Sequence, residues 1–176
     1  MTTSQELKYI SYSSLFVALI AAGAFLAIPI GPVPIVLQNM FVLLAGIILG
    51  PKWGLASVGV YLFIGACGLP VFANGQAGIG IIFGPLGGYL MGYLPAVFIT
   101  GLIARNKQKK MIFDIIAMVT GSVIVYAAGI PWLKIVMNLP WTKALALGMY
   151  PFIIGDILKI IAACFIAKNV RPYIKL

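Results

Sequence analysis

The chain has 176 residues, 62% of them hydrophobic and 9% charged, and its mean hydropathy of +1.12 excludes an ordinary soluble domain. Twelve Lys and Arg against three acids, Glu6, Asp114 and Asp156, give a net charge of +9. In so apolar a chain that excess reads as membrane topology rather than nucleic-acid binding, and with no histidine and only Cys67 and Cys164 neither a metal centre nor a cofactor is expected.

Residues 1–176 read as one domain, an all-α integral membrane protein of six transmembrane helices in contact with the lipid bilayer. The first span is expected over Ser11–Ile28. Lys8 ahead of an apolar run resembles the start of a signal peptide, but the run leads into further spans without a clear cleavage site, so it is read as a true first helix. Within it, "ALIAAGAFLA" sets Ala18 and Ala22, then Gly23 and Ala27, four residues apart. Such a face lets another helix approach closely, whether inside the domain or on a partner.

"PIGPVP" precedes the second span, Ile35–Leu49, which carries Gln38, and "GPKWG" separates it from the third, Leu55–Gly68. Each supplies some 22 Å of helix against roughly 30 Å of hydrocarbon, and such short helices often border a polar cavity. The connection Leu69–Gly84 has no charge, and it sets Gly75, Gly78, Gly80 and Gly84 and the amides Asn74 and Gln76 among Val71, Phe72, Ile79, Ile81, Ile82 and Phe83. Solvated loops are seldom so apolar. Either it folds over or into the membrane domain, or it rests as a turn in the outer headgroup layer.

The fourth span, Pro85–Ala104, carries Tyr89, whose polar tip suits a central cavity. "RNKQKK" leads to the fifth, Ile112–Gly129, and "IPWLKIVMNLPW", with Trp132 and Trp141, reads as an outer loop anchored at the interface before the sixth, Lys143–Ala167. With both termini inside, the cytoplasmic face carries Lys8, Lys52, Arg105, Lys107, Lys109, Lys110, Lys168, Arg171 and Lys175, and the outer face only Lys134 and Lys143. Cys67 and Cys164 then lie toward opposite faces, too far apart for a disulfide.

Asp156 is the one acid well inside an expected span, where a charge costs at least about 2.5–3.5 kcal/mol. Lys159 lies at i+3 on the same helix face, so the two neutralise each other or jointly face one polar object. The alternative is an ion pair that only holds the sixth helix to a neighbour. The chain has no G-x-x-x-x-G-K-[ST] motif and no nucleophile beside an evident base, so it is not expected to be an enzyme or to hydrolyse ATP itself.

"IPIGPVPIVLQNMFVLLAGIILGPKWG", "GLPVFANGQAGIGIIFGPLGGYLMGY" and "YPFIIGDILK" resemble, in order and spacing, the BioY family, the biotin-specific S components of energy-coupling factor (ECF) transporters. The resemblance implies a six-helix S-component fold in the plasma membrane, with both termini cytoplasmic. It further implies capture of biotin at the outer face and docking on a transmembrane T component coupled to two ABC-type ATPases, through the first-helix face of Ala18 and Ala22. Biotin is about 10 Å long and an i,i+3 pair spans only about 5–6 Å, so one helix face cannot hold both of its ends. Asp156 is therefore expected to accept an ureido N–H and Lys159 to donate to the ureido oxygen, with Asn74 assisting from the loop. Tyr89 and Phe72 are expected to pack on the thiophane ring or valeryl chain, glycine-rich backbone N–H groups to meet the carboxylate, and Gln38 to offer a further polar tip. Another vitamin, riboflavin or thiamine, and a purely structural membrane subunit are the competing readings.

Overall fold

The computed structural model describes residues 3–28, 31–105 and 111–174, so the expected placement of Lys107, Lys109, Lys110 and Lys175 lies outside the described residues. In chain order the elements are α1 (Thr3–Phe25), β1 (Ala27–Ile28), β2 (Ile35–Val36), α2 (Gln38–Ala66), a 3-10 turn (Ala73–Gly75), α3 (Ile79–Phe83), α4 (Gly87–Ala104), α5 (Met111–Val136), α6 (Trp141–Gly148) and α7 (Tyr150–Val170). Among the described residues, five helical stretches are long and apolar enough to cross a membrane: Gln5–Phe25, Gln38–Ala66, Gly87–Ala104, Met111–Val136 and Trp141–Val170.

The second of these is a hairpin. Gly50 takes φ 78 and ψ −178, a left-handed conformation that glycine adopts without strain, and Pro51 starts the next helical segment. A Cβ added at Gly54 would lie 3.2 Å from the Cα of Gly46, whereas residues eight apart on a straight helix are about 12 Å apart. Segments 38–49 and 51–66 therefore run back along each other, as the "GPKWG" break predicts. Their neighbours fix the directions. Tyr9 of α1 stacks on Trp53 with ring centroids 5.2 Å apart, while Gly23, at the other end of α1, abuts Gln38 and Phe41. The amide of Gly78 donates to the carbonyl of Gly65 at 2.8 Å, and Gly75 lies beside the Phe25 ring. Segment 51–66 thus returns to the Phe25 end.

Small residues let α4 press into this hairpin. A Cβ at Gly101 would sit 2.5 Å from Pro51 N and 2.7 Å from Gly50 C, both backbone atoms that cannot step aside. Gly101→Ala is accordingly expected to cost about 1–3 kcal/mol by overpacking, read as a lower unfolding midpoint in detergent. A midpoint equal to that of the parent chain contradicts the packing described.

Several expected boundaries are corrected, beginning with the first helix, which starts at Thr3 rather than Ser11, and with Ala27–Ile28 and Ile35–Val36, which pair as short antiparallel strands instead of extending the first two spans. The fifth helix does not stop at Gly129 but runs through Pro131 to Val136, because Trp132 donates its indole N–H to Gly84 O at 2.9 Å and Leu133 is fully buried. Tertiary contacts outweigh the proline, and the connection that follows shrinks to residues 137–140. The sixth helix is broken at Met149 (φ −137, ψ −56) into the short α6 and the long α7. The Tyr89 hydroxyl donates to the Gly148 carbonyl at 2.9 Å, satisfying an acceptor where the helical pattern is interrupted.

Candidate functional site

α7 carries the two charges about 9 Å and 14 Å below its first residue. Asp156 and Lys159 are 6% and 8% exposed, with Lys159 Nζ 3.1 Å from Asp156 Oδ1. Two other helices complete the pair. From the first turn of α2, Asn39 Nδ2 donates to Asp156 Oδ1 at 2.9 Å, and Asn39 Oδ1 accepts from Lys159 Nζ at 3.3 Å. The same Oδ1 accepts from the Met40 amide at 3.0 Å, which it shares with the Leu37 carbonyl at 3.1 Å where the helix begins. From α5, the Tyr126 hydroxyl donates to Asp156 Oδ2. A buried charge pair held by further hydrogen bonds escapes the desolvation penalty of an isolated ion.

The cluster forms one wall of a cavity whose other walls are mostly apolar or aromatic, among them Leu43, Phe72, Leu90, Val125 and Phe152 and the rings of Tyr89 and Tyr93, with Ser122 as a further polar residue. Phe72 is fully buried, seated on Gly65, where a Cβ would meet its ring at 2.4 Å, and set edge-on to Tyr61 at 5.7 Å. Tyr61 in turn donates to Val71 O at 3.0 Å. Segment 69–84 is thereby fastened over the end of the bundle, the first of the two arrangements its apolar composition leaves open. Gln38 is 2% exposed, lines the cavity, and has an Nε2 with no partner among the described residues. A buried amide donor without a partner costs about 1–3 kcal/mol, so it is suited to a bound acceptor.

The structure brings Gln38, Phe72, Tyr89, Asp156 and Lys159 to this one cavity. It does not bring Asn74, which is exposed in the 3-10 turn at φ 58 and lies outside the lining. Tyr89 contributes its ring, its hydroxyl being committed to Gly148. Asn39 and Tyr126 escape the reading of the sequence: the first is polar but adjacent to Gln38 at the start of a span, and the second is one of eight tyrosines. Ala18 and Ala22 are exposed on the outward face of α1, while Gly23 packs inward on Phe41. On that outward face Ser11 and Ser14 fold their hydroxyls onto the Leu7 and Ile10 carbonyls at 2.9 and 3.0 Å, which leaves it smooth and apolar.

A second ion pair, whose carboxylate is buried and whose guanidinium is partly exposed, lies at the other end of the bundle. Arg171 grips Asp114 with both guanidinium nitrogens, at 2.9 and 3.2 Å, and Asp114 is 3% exposed. Asp114 is thus buried as deeply as Asp156, although its sequence position at the start of a span suggests an interfacial residue.

Chemically, the cavity presents a paired carboxylate and ammonium, an unpartnered amide donor, and mostly rings and aliphatic groups elsewhere. The charged pair is neutral overall, so it suits the neutral polar head of a ligand that offers both N–H donors and a carbonyl acceptor.

A sequence model of the BioY family matches residues 1–176. The chain is 39% identical over 159 residues to the biotin transporter BioY of Thermotoga maritima, covering 90% of this chain and 93% of that protein. It is 41% identical over 164 residues to the probable biotin transporter BioY of Pyrococcus horikoshii, covering 93% and 96%. Among solved structures, it matches the S-component for biotin from an ECF-type ABC transporter with a TM-score of 0.91 and 36% identity, over 98% of this chain and 95% of that one.

Proposed function

The chain belongs to the BioY family, and on that footing we propose that it is the biotin-binding membrane subunit of an ECF-type uptake system. The observation that carries the reading is the buried Asp156–Lys159 pair forming the polar end of an otherwise apolar cavity. Biotin has matching parts: an ureido ring with N–H donors and a carbonyl, and an apolar thiophane ring and valeryl chain. Asp156 accepts an ureido N–H and Lys159 donates to the ureido oxygen. Phe72 and the Tyr89 ring flank the apolar portion, and Gln38 Nε2 supplies a further donor. Asn74 has no part in this arrangement, because its side chain stands outside the cavity.

Six membrane crossings with cytoplasmic termini follow from counting the α2 hairpin as two passes. Lys8, Lys52, Arg105, Lys168 and Arg171 belong to the end of the bundle marked by the Tyr9–Trp53 stack and the Asp114–Arg171 pair, in keeping with positive charge inside. Lys134 and Lys143 belong to the opposite end, beside the cavity, which then opens outward. The exposed face of Ala18 and Ala22 is free to meet a T component, and ATP hydrolysis falls to two partner ATPases. The protein sits in the plasma membrane as a multi-pass subunit.

Equilibrium binding of labelled biotin to the purified chain tests this reading, with riboflavin and thiamine as competitors. Saturable binding displaced by unlabelled biotin alone is expected. Displacement by riboflavin or thiamine points to another vitamin, and no binding of any of the three leaves a structural subunit. Copurification from the native membrane with a T component and ATPases tests the partner set, and its loss on widening the α1 face with Ala22→Phe tests the docking surface.

A further inference from the structure

Asn39 occupies the two groups assigned to the ligand. Its carboxamide spans Asp156 Oδ1, to which Nδ2 donates at 2.9 Å, and Lys159 Nζ, from which Oδ1 accepts at 3.3 Å. The orientation is dictated by charge, since the flipped amide would turn its oxygen to the carboxylate and its NH2 to the ammonium. A five-membered cyclic urea carries its N–H syn to its C=O, and a primary amide offers the same edge: one acceptor and one donor on the same carbonyl carbon.

We propose that Asn39 is an internal stand-in for the ureido group, occupying Asp156 and Lys159 in the empty protein and giving way to the urea on binding. The inference rests on the assignment of the ureido ring to that pair. Asp156 Oδ1 already accepts from both Lys159 and Asn39, and its Oδ2 accepts from Tyr126. A second edge cannot meet Oδ1 and Nζ together while the first remains. When the urea replaces the amide, each charged group exchanges one hydrogen bond for an equivalent one, so the pair never stands bare in an apolar wall. The released Asn39 Oδ1 keeps the Met40 amide. The device stabilises the empty site and lowers the affinity of the full one, because the ligand must displace a competitor already in place.

Removing the competitor therefore tightens binding. Asn39→Ala, and Asn39→Thr, which keeps a hydroxyl for the Met40 amide, are expected to bind labelled biotin about five- to tenfold more tightly. They are also expected to unfold at a lower temperature when empty and to gain more than the parent chain from added biotin. A merely structural asparagine lowers stability without tightening binding, and one that contacts biotin directly weakens binding when removed. Unchanged or weaker binding in either folded variant overturns the proposal. If neither variant folds, a structure of the parent chain with biotin decides it: Asn39 turned away from the pair supports displacement, and Asn39 still bridging Asp156 and Lys159 overturns it. Asp156→Asn, measured alongside, separates the two levels. Undiminished biotin affinity there overturns the site assignment and this proposal together, whereas lost affinity there with no tightening at Asn39 overturns this proposal alone.

Discussion

Lys159→Met is expected to weaken biotin binding between about a hundred- and a few thousandfold, corresponding to the loss of about 3–5 kcal/mol when one member of a buried pair is removed. Methionine keeps most of the aliphatic length of lysine, so packing changes little. The variant loses the donor proposed for the ureido oxygen and strands the carboxylate of Asp156, which is 6% exposed. Loss of stability accompanies the loss of binding, so the single variant does not separate a binding role from helix glue. The double variant Asp156→Asn/Lys159→Met does. With both charges gone no ion is stranded, and Asn39 and Tyr126 still have a polar partner at position 156. Its unfolding midpoint is expected to recover most of the way to that of the parent chain while biotin binding stays lost. Recovery of both, measured by thermal unfolding and labelled biotin on the same preparation, reduces the pair to a structural ion pair and sinks the assignment.

What the sequence makes legible here follows the range of the interactions involved. The α2 hairpin is announced by "GPKWG", because a glycine at positive φ followed by a proline is a local requirement. Asp156 and Lys159 stand out because a charge inside an apolar helix is costly wherever it lies, and three residues on one helix bring the two within 3.1 Å. Asn39 and Tyr126 reach the same carboxylate from 117 and 30 residues away, and no local pattern marks either as a partner. The extension of α5 through Pro131 is hidden for the same reason, since it depends on an indole hydrogen bond across 48 residues. Asn74 is the converse case. Asparagine between alanine and glycine reads as a polar group offered by a loop, but it also tolerates the left-handed conformation that this turn requires, φ 58. The turn uses its backbone and leaves its side chain outside the cavity.

Arg171→Ala is expected to destabilise the protein by about 3–5 kcal/mol and to leave the biotin affinity of the folded fraction unchanged. The guanidinium makes two hydrogen bonds to Asp114, at 2.9 and 3.2 Å, and the planar fork matches the carboxylate in a way no single ammonium can. Without it, a carboxylate 3% exposed is left uncompensated between α5 and the end of α7. Lys168 lies about one turn away and lines the same surface cleft as Asp114 and Arg171 but is exposed, so taking over the pairing requires drawing its ammonium out of water. Arg171→Lys is expected to fall between the two, because it keeps the charge and loses the second hydrogen bond. Asp114→Asn/Arg171→Ala, which leaves no charge behind, is expected to be more stable than Arg171→Ala alone. The proposed binding cluster is remote: Tyr126 lies about 18 Å farther along α5 and Asp156 about 22 Å back along the chain of α7. Measured well below the unfolding midpoint, the biotin dissociation constant should therefore match that of the parent chain while the midpoint falls. A parallel loss of affinity contradicts this separation and requires the Asp114–Arg171 pair to hold α5 and α7 in the register on which Tyr126 and Asp156 depend.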